Sequence, residues 1–202
     1  MRHDCATIYG SAIRLWSCDI GYRNTWNDGH RDDRARHPRR ALFKVMSTAT
    51  ESVWDYPRPP RLESATRHIQ VILNGVTIAD TRHAKRVLET SHPPVYYLPI
   101  EDVLMEHFTP TAHQSFCEFK GMASYYTITV ADVRIENGAW YYPHPTASYT
   151  DLLDHLAIYP GKMDACYVDG ERVQAQAGDF YGGWITNDIV GPFKGGPGTW
   201  GW

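Results

Sequence analysis

Three side chains in this sequence can do chemistry: Cys117 and Lys120 in the run FCEFKG, and Glu89 in RVLETSHPP. A cysteine attacks as its thiolate, and a lysine stripped of its proton by burial serves as a base or an amine. A carboxylate in reach of that lysine becomes an ion partner or an acid/base couple. Asp102 is the other acid close in the chain to these elements. Around them the sequence crowds Tyr97, Tyr125, Tyr126, Trp140 and Tyr142. Each such ring offers an apolar face and a polar edge, the means by which sheet-borne pockets hold flat or cationic small molecules, so Tyr97, Tyr126, Trp140 and Tyr142 are the candidate walls. The plainer alternatives are a core of rings with satisfied hydroxyls, a Cys117 that is a small buried hydrophobe, and a Lys120 that snorkels at the sheet rim.

What these residues can do together depends on pleat parity. Along a regular strand over about 115–130, Lys120, Met122, Ser124, Tyr126, Ile128 and Val130 fall on one face. Cys117, Phe119, Gly121, Ala123 and Tyr125 fall on the other. Ile128 and Val130 mark the core face, so Lys120 is expected to point inward among the rings, where burial lowers the pKa of an amine. A bulge at Gly121 would swap the phase.

Other chemistries lack their motifs. His107, His113 and Cys117 are metal-type residues, but no HExxH or CxxC accompanies them, and no metal is expected. GPFKGGPGT contains glycine and lysine without the strand and helix that frame a P-loop, and no serine sits in a GxSxG elbow. The cofactor stays unassigned.

The elements that must position these residues read as β. HIQVILNGVTIADT is a hairpin turning at Asn74-Gly75, and MDACYVDGERV is another turning at Asp169-Gly170. Val95 to Leu98 is a short strand that Pro99 ends, and residues 100–114 read as a polar connection. The stretch 115–130 pairs with a strand over about 133–142 across a turn at Ala131-Asp132, with Asn137-Gly138 a competing turn signal. After Pro145, Leu152, Leu153 and Leu156 recur at helical spacing behind Thr146 or Ser148 as N-cap, which predicts one short helix. The fold class is therefore mainly β: a compact antiparallel sheet or partly open barrel of six or seven strands with one short helix.

A chain of 202 residues is long enough to bury a core without staples, and its net charge of −3 argues against general nucleic-acid affinity. Residues 1–45 carry nine Lys/Arg against five Asp and no sustained apolar period. They read as a disordered arm, or as sequence upstream of a start at Met46. Residues 46–65 form an extended lead punctuated by Pro57, Pro59 and Pro60, with Trp54 and Tyr56 as anchors; residues 66–174 are the β domain. Residues 175–202 combine many glycines with Phe180, Tyr181, Trp184, Phe193, Trp200 and Trp202, and are expected to dock their rings on the domain. Four cysteines without a CxxC pair, and no segment like a signal peptide or membrane span, make a reducing cytoplasm the default, with no membrane partner.

ETSHPPVYYLPIEDV, FCEFKGMASYY, AWYYPHP and VDGERV together resemble the defining blocks of domain-of-unknown-function family 427, also labelled a nucleotidyltransferase domain, in its longer single-copy form. The likeness covers about residues 66–174. It implies a compact β-rich domain with a concave aromatic-lined pocket, and family positions at Glu89, Pro94, Tyr97, Pro99, Asp102, Cys117, Lys120, Gly121, Tyr126, Trp140 and Tyr142. Phe119 stands where many members have tryptophan. Nucleotidyl transfer needs carboxylates gathered on Mg²⁺ beside a Gly-Ser turn, whereas the sole Gly-Ser here is Gly10-Ser11 in the arm. Three readings follow: a domain binding a small organic ligand, with Lys120, Glu89 and Cys117 as its reactive groups; a protein-interaction module using the proline-rich lead and the Gly/Trp tail; and a nucleotidyltransferase. The oligomeric state stays open.

Overall fold

Turn chemistry sets the strand boundaries. Asn74 and Gly75 take φ of 48° and 72°, Asp169 and Gly170 take 51° and 81°, and Ala131 takes 51°. Each marks a tight reversal between strands whose right-handed twist such turns match. The computed structural model describes residues 49–178 and 180–199, all within the unit spanning residues 46–202. The expectation for residues 1–45 lies outside the described residues, as do Trp200 and Trp202.

In chain order the strands are β1 Glu51–Ser52, β2 Arg61–Ser64, β3 Ile69–Leu73, β4 Val76–Thr81, β5 Lys85–Leu88, β6 Val95–Pro99, β7 Phe108–Cys117, β8 Gly121–Val130, β9 Val133–Tyr141, β10 His155–Ile158, β11 Ala165–Val168, β12 Glu171–Arg172, β13 Gln174–Ala175, β14 Trp184–Ile185 and β15 Ile189–Val190. Seven of them make one antiparallel sheet in the order β2-β5-β6-β10-β9-β8-β7. A second antiparallel sheet runs β12-β11-β3-β4. No closed barrel forms among the described residues, so the architecture is the mainly β, partly open one. Nor is any helix among them long and apolar enough to cross a membrane.

The small sheet buries Ile69, Val71, Leu73, Ile78, Cys166 and Val168 against Tyr96, Leu98, Ile128, Val130, Leu156 and Ile158 of the large one. The alternation in Ile69–Leu73 produces this directly: odd residues are buried and even ones half-buried. On the opposite face of the large sheet a second cluster gathers Val87, Tyr97, Ala123, Tyr125, Trp140, Tyr142, Tyr149, Leu152 and Ala157.

Two local expectations are revised and two are refined. The stretch 115–130 is not one strand, because the chain turns at Glu118–Lys120 and restarts at Gly121, whose φ of 100° disfavours any residue with a Cβ. The strand before that turn begins at Phe108, inside the supposed polar connection; β7 is an edge strand with mostly exposed side chains, so it carries no clean alternation. After Pro145 the expected short helix is present as a six-residue 3-10 helix, Ala147–Leu152, broken in conformation at Tyr149. Leu153 is exposed and Leu156 belongs to β10, with Asp154 at φ 57° between them. Asn137, at φ 47°, ends no strand either. It sits within β9 where the register with β8 shifts, so this signal marks a bulge.

The lead and the tail meet each other. β1 pairs in parallel with β15, the Trp54 indole N–H donates to the Pro192 carbonyl at 3.0 Å, and Val53, Tyr56, Leu88 and Ile189 form a third apolar cluster. Trp184, fully buried, lies 5.3 Å from the Tyr96 ring.

Candidate functional site

Lys120 stands on the turn between β7 and β8, and the loop after β9 fixes that turn. The Thr146 hydroxyl donates to the Phe119 carbonyl at 2.6 Å, and the Thr146 N–H donates to the Lys120 carbonyl at 3.2 Å. A Cβ at position 121 would come within 3.3 Å of the His144 carbonyl. These contacts pin the turn against the aromatic face, and Lys120 ends only 8% exposed.

There it lines a cavity of about 270 Å³. β5 and β6 contribute Val87, Val95 and Tyr97; the end of β7 contributes Ser115, Phe116 and Cys117; β8 and β9 contribute Tyr125 and Trp140, joined by Glu89, Tyr142 and Tyr159. Two further walls come from the two ends of the described chain: Arg58 before β2, and Gln176, Tyr181, Gly182 and Lys194 after β13.

The rings form a connected frame. The Trp140 indole N–H donates to the Tyr97 hydroxyl at 3.2 Å, the two rings meeting edge-on at 6.2 Å. Tyr159 packs on Trp140 at 4.4 Å, and Tyr142 on Tyr97 at 6.3 Å. Gly182 lies flush against the indole, where a Cβ would fall 2.2 Å from its Cη2. Burial pushes the phenols of Tyr97, Tyr142 and Tyr159 above their ordinary range, so all three stay neutral and serve as hydrogen-bonding groups.

Lys120 is the cation among them. Its ammonium lies 5.9 Å from the Tyr142 ring centroid and 6.0 Å from that of Tyr149, with the Cys117 side chain beside it. Burial pulls its pKa down, but Tyr97, Cys117 and Glu89 more than offset this, and the pKa stands above the ordinary value for a lysine. The direction is opposite to the lowering expected from burial and favours the charged, donating form of the group. Glu89 is not its ion-pair partner; it faces Arg58 at 3.6 Å, and Arg58 also takes Glu118 at 3.1 Å while lying over the Phe119 ring. His92 donates from Nδ1 to the Thr90 carbonyl at 2.9 Å and packs edge-on against Tyr181. Burial first, then Lys194 and Arg58, hold its imidazole below the ordinary value, against the Thr90 bond and Glu89.

Of the residues singled out from sequence, the fold brings Glu89, Tyr97, Cys117, Lys120, Trp140 and Tyr142 around one cavity and places Tyr126 and Asp102 elsewhere. Tyr126 stacks on Tyr141 at 4.6 Å on the opposite face. Asp102 accepts from the Thr81 hydroxyl and lies 3.6 Å from His83. Gly121 explains the exchange: by turning the chain it puts Lys120 in phase with Cys117 and Tyr125 instead of Tyr126. Arg58, His92, Gln176, Tyr181 and Lys194 went unrecognised, since they come from segments whose only sequence signal was a density of prolines, glycines and rings. Among the described residues no three of His, Cys, Asp and Glu gather closely enough to hold a metal.

The model of one protein family, described as a domain of unknown function (DUF427) and labelled NTP_transf_9, matches residues 61–169. No curated protein matches the chain.

Proposed function

This chain belongs to the DUF427 family, and on that premise we propose that its β domain binds a small, flat organic molecule in the aromatic cavity. Tyr97, Trp140 and Tyr142 serve as walls, Lys120 and Glu89 as polar contacts, and Cys117 lies at the same surface. The observation that carries this reading is the hydrogen-bonded frame of Trp140 and Tyr97 around a hollow that a buried ammonium reaches. Rigid rings with polar edges next to one fixed charge give a ligand both area and orientation. Since Lys120 keeps its proton, any reaction here would use it as a donor or an oxyanion partner, not as a base.

The nucleotidyltransferase label finds little support in the same residues. The two carboxylates at the cavity, Glu89 and Glu118, are both engaged by Arg58, whereas phosphoryl chemistry of that kind gathers free carboxylates on Mg²⁺.

The test is a panel of neutral flat compounds of one and two rings, 2-naphthamide among them, titrated into the full chain and followed by ligand-observed NMR. Binding that Trp140→Ala abolishes while the protein stays folded supports the reading. No binding across the panel, or binding indifferent to Trp140→Ala, sinks it.

A further inference from the structure

We propose that the cavity's occupant is a monoanionic carboxylic acid carried on a flat ring, its carboxylate paired with the Lys120 ammonium; this rests on the reading that the cavity binds a flat organic molecule. The charges around the hollow make the case. Three cations line it, Arg58, Lys120 and Lys194, and two carboxylates, Glu89 and Glu118. Arg58 engages both carboxylates from the exposed rim. Lys194 lies in the tail, where its backbone is tied to Ser91 and Gln176 and its remaining contacts are engaged. Lys120 is different. It is more than nine-tenths buried, and among the described residues no carboxylate comes within ion-pair distance of it, Glu89 and Glu118 both lying on Arg58. Its company is a thiol, the Tyr97 phenol and the rings of Tyr142 and Tyr149, with Glu89 acting from beyond ion-pair distance.

Glu89 acts on this ammonium only from a distance, being drawn to Arg58, and ring faces with one sulfur supply only part of the direct contacts that water supplied. The side from which the missing charge can arrive is the cavity. Three cations against two carboxylates leave a hole lined by neutral phenols one positive charge in excess, which one negative charge matches. A phosphate dianion would leave an excess charge beside Tyr97 and Tyr142, and the guanidinium fork that best holds phosphate is already occupied. A carboxylate on a ring satisfies both halves of the site, its oxygens at Lys120 and its plane between the aromatic walls.

Matched acids and amides separate this proposal from the one it rests on. Benzoate with benzamide, and 2-naphthoate with 2-naphthamide, are titrated into the full chain, into Lys120→Met and Lys120→Gln, and into Trp140→Ala. In the wild type each acid binds about tenfold or more tighter than its amide. In both Lys120 variants the acid loses far more affinity than its amide, so the preference vanishes, and Trp140→Ala weakens acid and amide alike. If acid and amide bind equally well to the wild type, Lys120 already has all the partners it needs and the proposal is overturned, while the cavity reading stands. A preference for acid that survives in both Lys120 variants assigns the charge to another residue and also overturns it. If neither acids nor amides bind, the cavity reading itself fails and takes the proposal with it.

Discussion

The two faces of the seven-stranded sheet are built by alternate residues of the same strands, yet one is closed and the other hollow. Tyr96, Tyr126, Leu156 and Ile158 look toward the small sheet; their neighbours Tyr97, Tyr125 and Ala157 look toward the cavity. The closed face interleaves branched aliphatic side chains from both sheets, whose shapes fill space down to the last methyl. The hollow face sets large rings beside small residues: Ala123 and Ala157 on the strands, and Gly182 opposite the indole. Rings held at their edges by hydrogen bonds cannot collapse into the gaps those small residues leave. A face patterned this way gives up packing for a shaped void, and it is also where the one buried ammonium among the described residues sits.

The contrast can be broken from either side. The largest effect on stability is expected on the closed face: Leu156→Ala, at a fully buried position, costs about 2–5 kcal/mol in chemical denaturation, and leaves the affinity of the folded protein for 2-naphthamide within about twofold. A hollow face that behaved the same way would erase the distinction. Next is Gly182→Ala, whose methyl cannot coexist with the indole where it stands. It costs about 1–3 kcal/mol, shifts Trp140 fluorescence and weakens probe binding; unchanged emission and binding would mean that the tail does not wall the site. Tyr97→Phe removes the acceptor of the Trp140 indole N–H and should cost about 0.5–1.5 kcal/mol, with a measurable loss of probe affinity as the ring loses its anchor.

A smaller effect should appear with pH. His92 is held below its ordinary pKa of 6.5, by burial above all, so the unfolded chain takes up its proton more readily than the folded one. The stability it contributes is present above that value and is lost as pH falls through the depressed one. Denaturation midpoints followed from pH of about 8 down to about 5 should decline, and His92→Gln should flatten part of that decline. An identical slope in the variant would remove His92, and with it the Tyr181 contact, from the account.

Much of the fold was legible because turn chemistry and alternation act locally. Asn74-Gly75, Asp169-Gly170 and the Ile69–Leu73 pattern specify their hairpins within a few residues. Six of the eight site candidates converge on the cavity because rings and reactive groups are scarce enough in the chain to be informative by type alone. What escaped was non-local or dependent on one dihedral. Gly121 reads in sequence as a possible bulge, and only the backbone shows that it starts a strand after a turn, which exchanges Tyr126 for Tyr125 beside Lys120. β7 lacked a pattern because an edge strand has little to bury. The walls from Arg58 and the tail depend on contacts between segments tens of residues apart in the chain, which no periodicity records.

The central claim is that Lys120 belongs to the site and not to the scaffold, and the unfolding free energy of ligand-free Lys120→Met tests it most directly. Replacing an ammonium buried without a carboxylate by an apolar chain of similar length should leave stability within about 1 kcal/mol of the wild type or raise it. A loss of about 3 kcal/mol or more, the size seen when a buried partner is left unpaired, would show that the lysine holds the fold together, and would contradict the account.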